Sequence, residues 1–132
     1  MACNACGGTQ GAFEITAFNA DKGSLPAAEL ARRATQFDAL SEAVLLSNAA
    51  LFVDKAALMP DCTFVVGYDT AVRIINPKYY GDSAEKLAAV LAAIRGHRCS
   101  FLVAGRLMDG RFFGGNELSP PSGFEGAPPA CR

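Results

Sequence analysis

The chain has 132 residues, 51% hydrophobic and 19% charged, with a formal net charge of −1. That size and apolar content suit one compact domain, and the lack of a basic excess argues against a nucleic-acid or acidic-membrane surface. No apolar run approaches the length of a membrane span, since Ser47 and Asn48 interrupt the longest candidate, Ala43–Val53. Met1–Gly11 has no basic region followed by an apolar stretch, so no secretory signal is expected. The default expectation is an intracellular, cytoplasmic protein.

Three segments separate along the chain. Residues 1–11 are small, polar and Gly-rich, a loose leader. Residues 12–113 carry nearly all the patterned sequence. Residues 114–132 hold four Pro and four Gly in nineteen positions, the composition of a disordered tail. Five cysteines, Cys3, Cys6, Cys62, Cys99 and Cys131, are too scattered for a disulfide framework. Cys3 and Cys6 form a CxxC, but neither a second such pair nor a histidine pair is present to complete a zinc site. No metal ligand set is expected, and the CxxC reads as incidental, with a metal or thiol function at Cys3 and Cys6 as the weaker alternative.

In chain order, Phe13–Ala17 predicts a strand. Ser24 as N-cap and Pro26 in the first turn predict a helix to Phe37, with Leu30, Ala34 and Phe37 on one face. Ala43–Leu46 predicts a second strand, and Ala50–Met59 a helix stopped by Pro60. Thr63–Val66 predicts a third strand. Asp82 and Glu85 form a cap-like pair before a helix whose Leu87, Val90, Leu91 and Ile94 make a core-facing stripe. Gly96 is the expected left-handed residue after it. Ser100–Ala104 predicts a fourth strand, and Asp109-Gly110 a tight turn before Phe112 and Phe113. This alternation predicts a doubly wound, Rossmann-like α/β domain with a mostly parallel sheet and helices on both faces. The apolar runs FVV and FLVA suit strands buried on both faces.

Ligands in such sheets bind beyond the carboxyl ends of the strands. The residues there are Asn19, Asp21 and Lys22, then Ser47 and Asn48, then Gly67, Asp69 and Thr70, and finally Gly105 and Arg106. Asn, Asp, Ser and Gly are also ordinary where a strand turns into a helix, so Asn48 and Asp69 have a structural reading as caps. Lys22, Arg73, Lys78 and Arg106 together would bring positive charge to this rim, which suits a phosphate-bearing ligand. The chain has no GxxxxGK[ST] and no GxGxxG. Its single histidine, His97, falls before the last strand, at the end opposite the rim, where it reads as a residue near a helix carboxyl terminus. No Ser–His or Cys–His nucleophile system can be built at the rim without it.

The run Thr63–Thr70 (TFVVGYDT), continued by Ala71–Ile74 and Asn76–Gly81, resembles the nucleotidylyltransferase superfamily. Within it, the cytidylyltransferase-like group related to nicotinate or nicotinamide mononucleotide adenylyltransferases is the nearer likeness. Phe13–Lys22, Leu45–Ala49 and Phe101–Arg106 resemble further blocks of that family, in the same order, so that the resemblance covers about Ala12 to Phe113. It implies a nucleotide or pyridine mononucleotide held by Gly67, Asp69 and an aromatic loop containing Tyr79, with Mg²⁺ arriving with ATP. The family's HxGH and late [ST]-x-[ST]-x-R motifs are absent from the 132 residues, as is a counterpart of its first, central strand. The implied protein is therefore a partial domain: a truncated product, half of a split protein, or a paralogue that pairs with another chain.

Adenylyl transfer is an in-line displacement at the α-phosphate, promoted by cationic groups on the developing charge. Removal of one such donor costs about 3–4 kcal/mol, so no catalytic residue is expected here, and catalysis is lost or partner-dependent. The alternative expectation is a non-catalytic interaction module that binds another chain, or itself, through an open sheet edge.

Overall fold

The computed structural model describes residues 11–19, 23–40 and 42–119. The expected loose leader, the CxxC, most of the Pro/Gly-rich tail, Asp21 and Lys22 lie outside the described residues. The chain divides into two compact units, one reaching Lys55 and one starting at Ala56. The architecture is mixed helix and strand with small parallel sheets.

In the first unit, β1 (Ala12–Thr16) pairs in parallel with β4 (Ala43–Ser47), with Ala12 opposite Ala43 and Thr16 opposite Ser47. Between them come β2 (Phe18–Asn19) and β3 (Gly23–Ser24), a two-residue antiparallel pair, then α1 (Ala27–Thr35) and a 3₁₀ turn at Asp38–Leu40. The face of α1 predicted from Leu30, Ala34 and Phe37 is its half-buried side, and the Phe37 ring lies 4.5 Å from that of Phe13 on β1. Ser24 is not its cap. It belongs to β3, and Pro26 takes the N-cap position with an extended ψ of 143° and no side-chain bond. Proline's fixed φ suits the entry into the helix but leaves the first amides uncapped. The unit ends within α2 (Phe52–Leu58).

In the second unit, β5 (Thr63–Gly67) pairs in parallel with β6 (Ser100–Ala104), with Thr63 opposite Ser100 and Gly67 opposite Ala104. The crossover consists of α3 (Tyr68–Ile74), a 3₁₀ turn at Pro77–Tyr80 and α4 (Ala84–Gly96). Leu87, Leu91 and Ile94, three members of the predicted stripe, are each 1% exposed and form the centre of the core with Val66, Ala71, Ile74 and Leu102. The helix starts one residue later than expected, because Ser83, not Asp82, is the N-cap and accepts a hydrogen bond from the Lys86 amide at 3.2 Å. Asp82 instead takes a left-handed φ of 55°, which Asp tolerates better than most residues. At the other end Gly96 is still helical and His97 is the C-cap, while the left-handed residue is Arg98 (φ 58°). The arginine is held there by two bonds from its guanidinium to Asp61 and by its amide donating to Arg95 O at 2.8 Å.

A hairpin of β7 (Arg106–Met108) and β8 (Arg111–Phe113) follows. Asp109 and Gly110 both have positive φ, 49° and 77°, as the predicted Asp-Gly turn requires. The Pro/Gly-rich segment opens with a 3₁₀ turn at Gly115–Glu117, where the Gly114 amide donates to Glu117 Oε2 at 2.7 Å. Val65 is 52% exposed, and Leu45 and Leu46 are 45% and 57% exposed. The expected burial of the FVV strand on both faces therefore does not hold at Val65, although its register partner Leu102 is buried.

Candidate functional site

At the carboxyl end of β1–β4, strand alternation puts Glu14 and Thr16 on one face, and the parallel register puts Ser47 beside Thr16. Lys55, from the second turn of α2, reaches this face with 5% exposure, the buried charged residue among those described. Its Nζ donates to Glu14 Oε2 at 2.6 Å and to Thr16 Oγ1 at 2.5 Å. The Thr16 hydroxyl in turn donates to the same carboxylate at 3.0 and 3.1 Å. Ser47 Oγ donates to Glu14 Oε1 at 2.5 Å and accepts from the Ala49 amide at 3.3 Å. Each hydroxyl thus both gives and receives, which is what makes a desolvated ammonium tolerable. The Nζ also stands 5.7 Å from the centre of the Phe52 ring.

Asn48 follows this cluster directly and is exposed. Asn19 ends β2, opposite Gly23. The sequence reading named Ser47 but missed Glu14, Thr16 and Lys55. A signal existed in AFEIT, where apolar Phe13 and Ile15 alternate with polar Glu14 and Thr16, though nothing pointed to a lysine 41 residues away.

The second rim lies at the carboxyl end of β5–β6. Gly67 ends β5 and is the N-cap of α3, with φ −72° and ψ 160°. Asp69 and Thr70 occupy the first turn of that helix and are exposed. Gly105 separates β6 from β7, and Arg106 opens β7. The Arg106 guanidinium donates to Asp69 Oδ2, although the two residues lie 37 positions apart in sequence. Both side chains are more than half exposed, at 54% and 59%, so the pair contributes only about 0–1 kcal/mol to stability and keeps its hydrogen-bonding capacity open to solvent.

The two glycines of this rim are there for different reasons. A Cβ on Gly105 would lie 2.1 Å from Phe112 Cζ, so the aromatic ring needs a bare residue beneath it. A Cβ on Gly67 would meet nothing within 4 Å among the described residues, and its φ suits any residue, so no described neighbour explains that glycine. Beside them the Tyr68 and Phe113 rings stand 5.6 Å apart, and the Arg111 guanidinium lies 5.0 Å over the Phe113 ring.

The structure therefore brings together Gly67, Asp69, Thr70, Gly105 and Arg106. Arg73 lies in the last turn of α3 and is exposed. Lys78 and Tyr79 are exposed on the 3₁₀ turn that packs against α4, where the Asn76 side chain accepts from the Lys78 amide at 3.0 Å. Tyr80 on that turn is turned inward, donating to Ile74 O at 2.9 Å, and burial raises its phenol above the ordinary value. Lys22 lies outside the described residues. His97 caps α4 and precedes β6, at the strand end opposite this rim.

Among the described residues, Glu14 at the first rim and Asp69 at the second are each already paired with a cation. Among the described residues no helix is long and apolar enough to cross a membrane. Comparison with protein-family models, curated proteins and solved structures finds no match to this chain.

Proposed function

We propose that this chain is a nucleotidylyltransferase-like domain related to the mononucleotide adenylyltransferases, with a Rossmann-like arrangement of its parallel strands. On this reading it binds a nucleotide, ATP with Mg²⁺ or a pyridine mononucleotide, beyond the carboxyl ends of those strands. The observation that carries the reading is the meeting of Asp69 and Arg106 at one end of β5–β6, beside the unobstructed Gly67. Arg106 is the group that would take a phosphate oxygen in a forked hydrogen bond, and Asp69 is the residue that would orient it. The bare Gly67 would let a ligand approach the backbone closely. Because the chain carries no HxGH, adenylyl transfer would require phosphate-binding groups from a partner, and the chain by itself would only bind.

The test is thermal unfolding with and without ATP–Mg²⁺ and each pyridine mononucleotide. A ligand at a hundredfold excess over its Kd stabilises by about 2.7 kcal/mol, and the resulting shift should vanish in Arg106→Ala. If none of these ligands moves the midpoint, the reading fails. Pyrophosphate release by the purified chain at an enzymatic rate would overturn the claim that catalysis needs a partner.

A second reading, a non-catalytic module that binds a further copy of itself, draws on the half-exposed Leu45 and Leu46. Among the described residues β4 pairs along one edge only, with β1. Such an edge is a template for another strand.

A further inference from the structure

We propose that Cys62 and Cys99 form a reversible disulfide between the starts of β5 and β6, making this end of the strand pair a thiol-modification site. The register of the two strands begins at Thr63 and Ser100, and the Ser100 amide donates to Cys62 O at 3.0 Å, which carries the ladder one residue back. Register partners along this pair meet through their side chains. Thr63 Oγ1 and Ser100 Oγ are 3.0 Å apart on one face, and the Phe64 and Phe101 rings are 5.7 Å apart on the other. Strand alternation places Cys62 and Cys99 on the Phe64–Phe101 face.

Adjacent strands run about 4.7–4.9 Å apart, inside the Cα separation of about 4.4–6.8 Å that a disulfide accepts. Both thiols are free, with Cys62 partly exposed and Cys99 buried. The Cys99 thiol already sits 3.3 Å from Met59 O. Burial, then the neighbouring Cys99 and Asp61, hold the Cys62 thiol above its ordinary value.

The reaction needs a disulfide oxidant of the glutathione type. The Cys62 thiolate attacks one sulfur of that disulfide and expels the first small thiol. The Cys99 thiolate then attacks Cys62 Sγ in the mixed disulfide and expels the second. Two protein thiols become one disulfide, and the oxidant is reduced to two thiols. The bond would close the loop that carries α3 and α4. It would lie a strand's length, roughly 16 Å, from Gly67 and Ala104, and so would leave the Asp69–Arg106 pair chemically untouched.

The experiment uses the full chain with Cys3, Cys6 and Cys131 each replaced by Ser, incubated with glutathione disulfide and followed by intact mass and peptide mapping. The expected product has lost two hydrogens, yields one peptide joining Cys62 to Cys99, and returns to the starting mass with dithiothreitol. Its formation should quicken roughly tenfold per pH unit below the Cys62 pKa, because the thiolate is the attacking form. A mixed disulfide that persists on Cys62 beside an unmodified Cys99, or two thiols that stay free, would overturn the proposal.

Discussion

Replacing Glu14 by Gln leaves Lys55 charged and 5% exposed with only neutral partners, the Thr16 hydroxyl and an amide oxygen. Breaking a buried pair by removing one member costs about 3–5 kcal/mol. Glu14→Gln should approach that range in urea denaturation. Lys55→Met should cost less, since the Glu14 side chain keeps 23% exposure and can reach water. The double variant should be closer to wild type than the sum of the two, and simple additivity would mean that the charges do not act as a pair. At Gly105 a methyl group meets only the outer end of an exposed ring, Phe112 being 62% exposed. Gly105→Ala should therefore cost about 1 kcal/mol, within the usual range for point substitutions, and little once Phe112→Ala has removed the ring. At this scale the sequence was a partial guide. Asp69 and Arg106 were both named from their positions after strands, but a glutamate inside a strand reads as a solvated position until its lysine is seen, and that lysine comes from another element.

Helix α1 is laced on its outer side by one carboxylate serving two guanidinium groups, Glu29 bonding Arg32 at 2.8 Å and Arg33 at 2.7 Å. The hydrogen bonds from Arg32 and then Arg33 lower the Glu29 pKa from 4.5 to about 2. A depressed folded-state value means that its contribution is present above pH 4.5 and lost as pH falls through about 2. A carboxyl titration followed by NMR should place Glu29 near that value and move it back toward 4.5 at high salt, because the group is exposed and screened. At the start of α4, Ser83→Ala should cost about 1 kcal/mol, whereas Asp82→Ala removes no cap bond. A Ser83→Ala variant as stable as wild type would contradict the cap assignment.

The stripe Leu87, Leu91 and Ile94 was legible because thirteen helical residues give the period room to repeat. Helix α3 was not. It has seven residues and starts directly after β5 with no intervening loop, too short a run to separate from strand and turn. The burial of Val65 was misread for a related reason: an all-apolar strand does not say which of its residues are covered.

For the molecule as a whole, a net charge of −1 provides little self-repulsion, and Leu45, Leu46, Leu51 and Leu58 are each 45% exposed or more. Sedimentation should show association that rises with concentration, and Leu46→Lys should weaken it by placing a charge on β4. A monomer at all concentrations would remove the self-association reading. At this scale the alternation of strands and helices was legible from periodicity, as was the parallel sense of pairing, since a crossover of this kind leaves little else. The division at Lys55 was not, because α2 reads as one uninterrupted helical segment, FVDKAAL, with no linker composition to mark a boundary.

The parallel pairings also set an order in time. Ser47 meets Glu14 across 33 residues, and Ser100 meets Thr63 across 37. Neither β1 nor β5 can therefore zip locally as a hairpin strand does, and each must wait for a distant segment before its ladder forms. On a ribosome, β1 would emerge from the exit tunnel ahead of β4, with Phe13 and Ile15 unprotected until β4 follows. The late, local Asp109-Gly110 hairpin is under no such delay. The slow and aggregation-prone step of biogenesis thus falls on the strands that carry the two rims, and a chaperone acting on this chain would be needed most before Ser47 and before Ala104 have emerged.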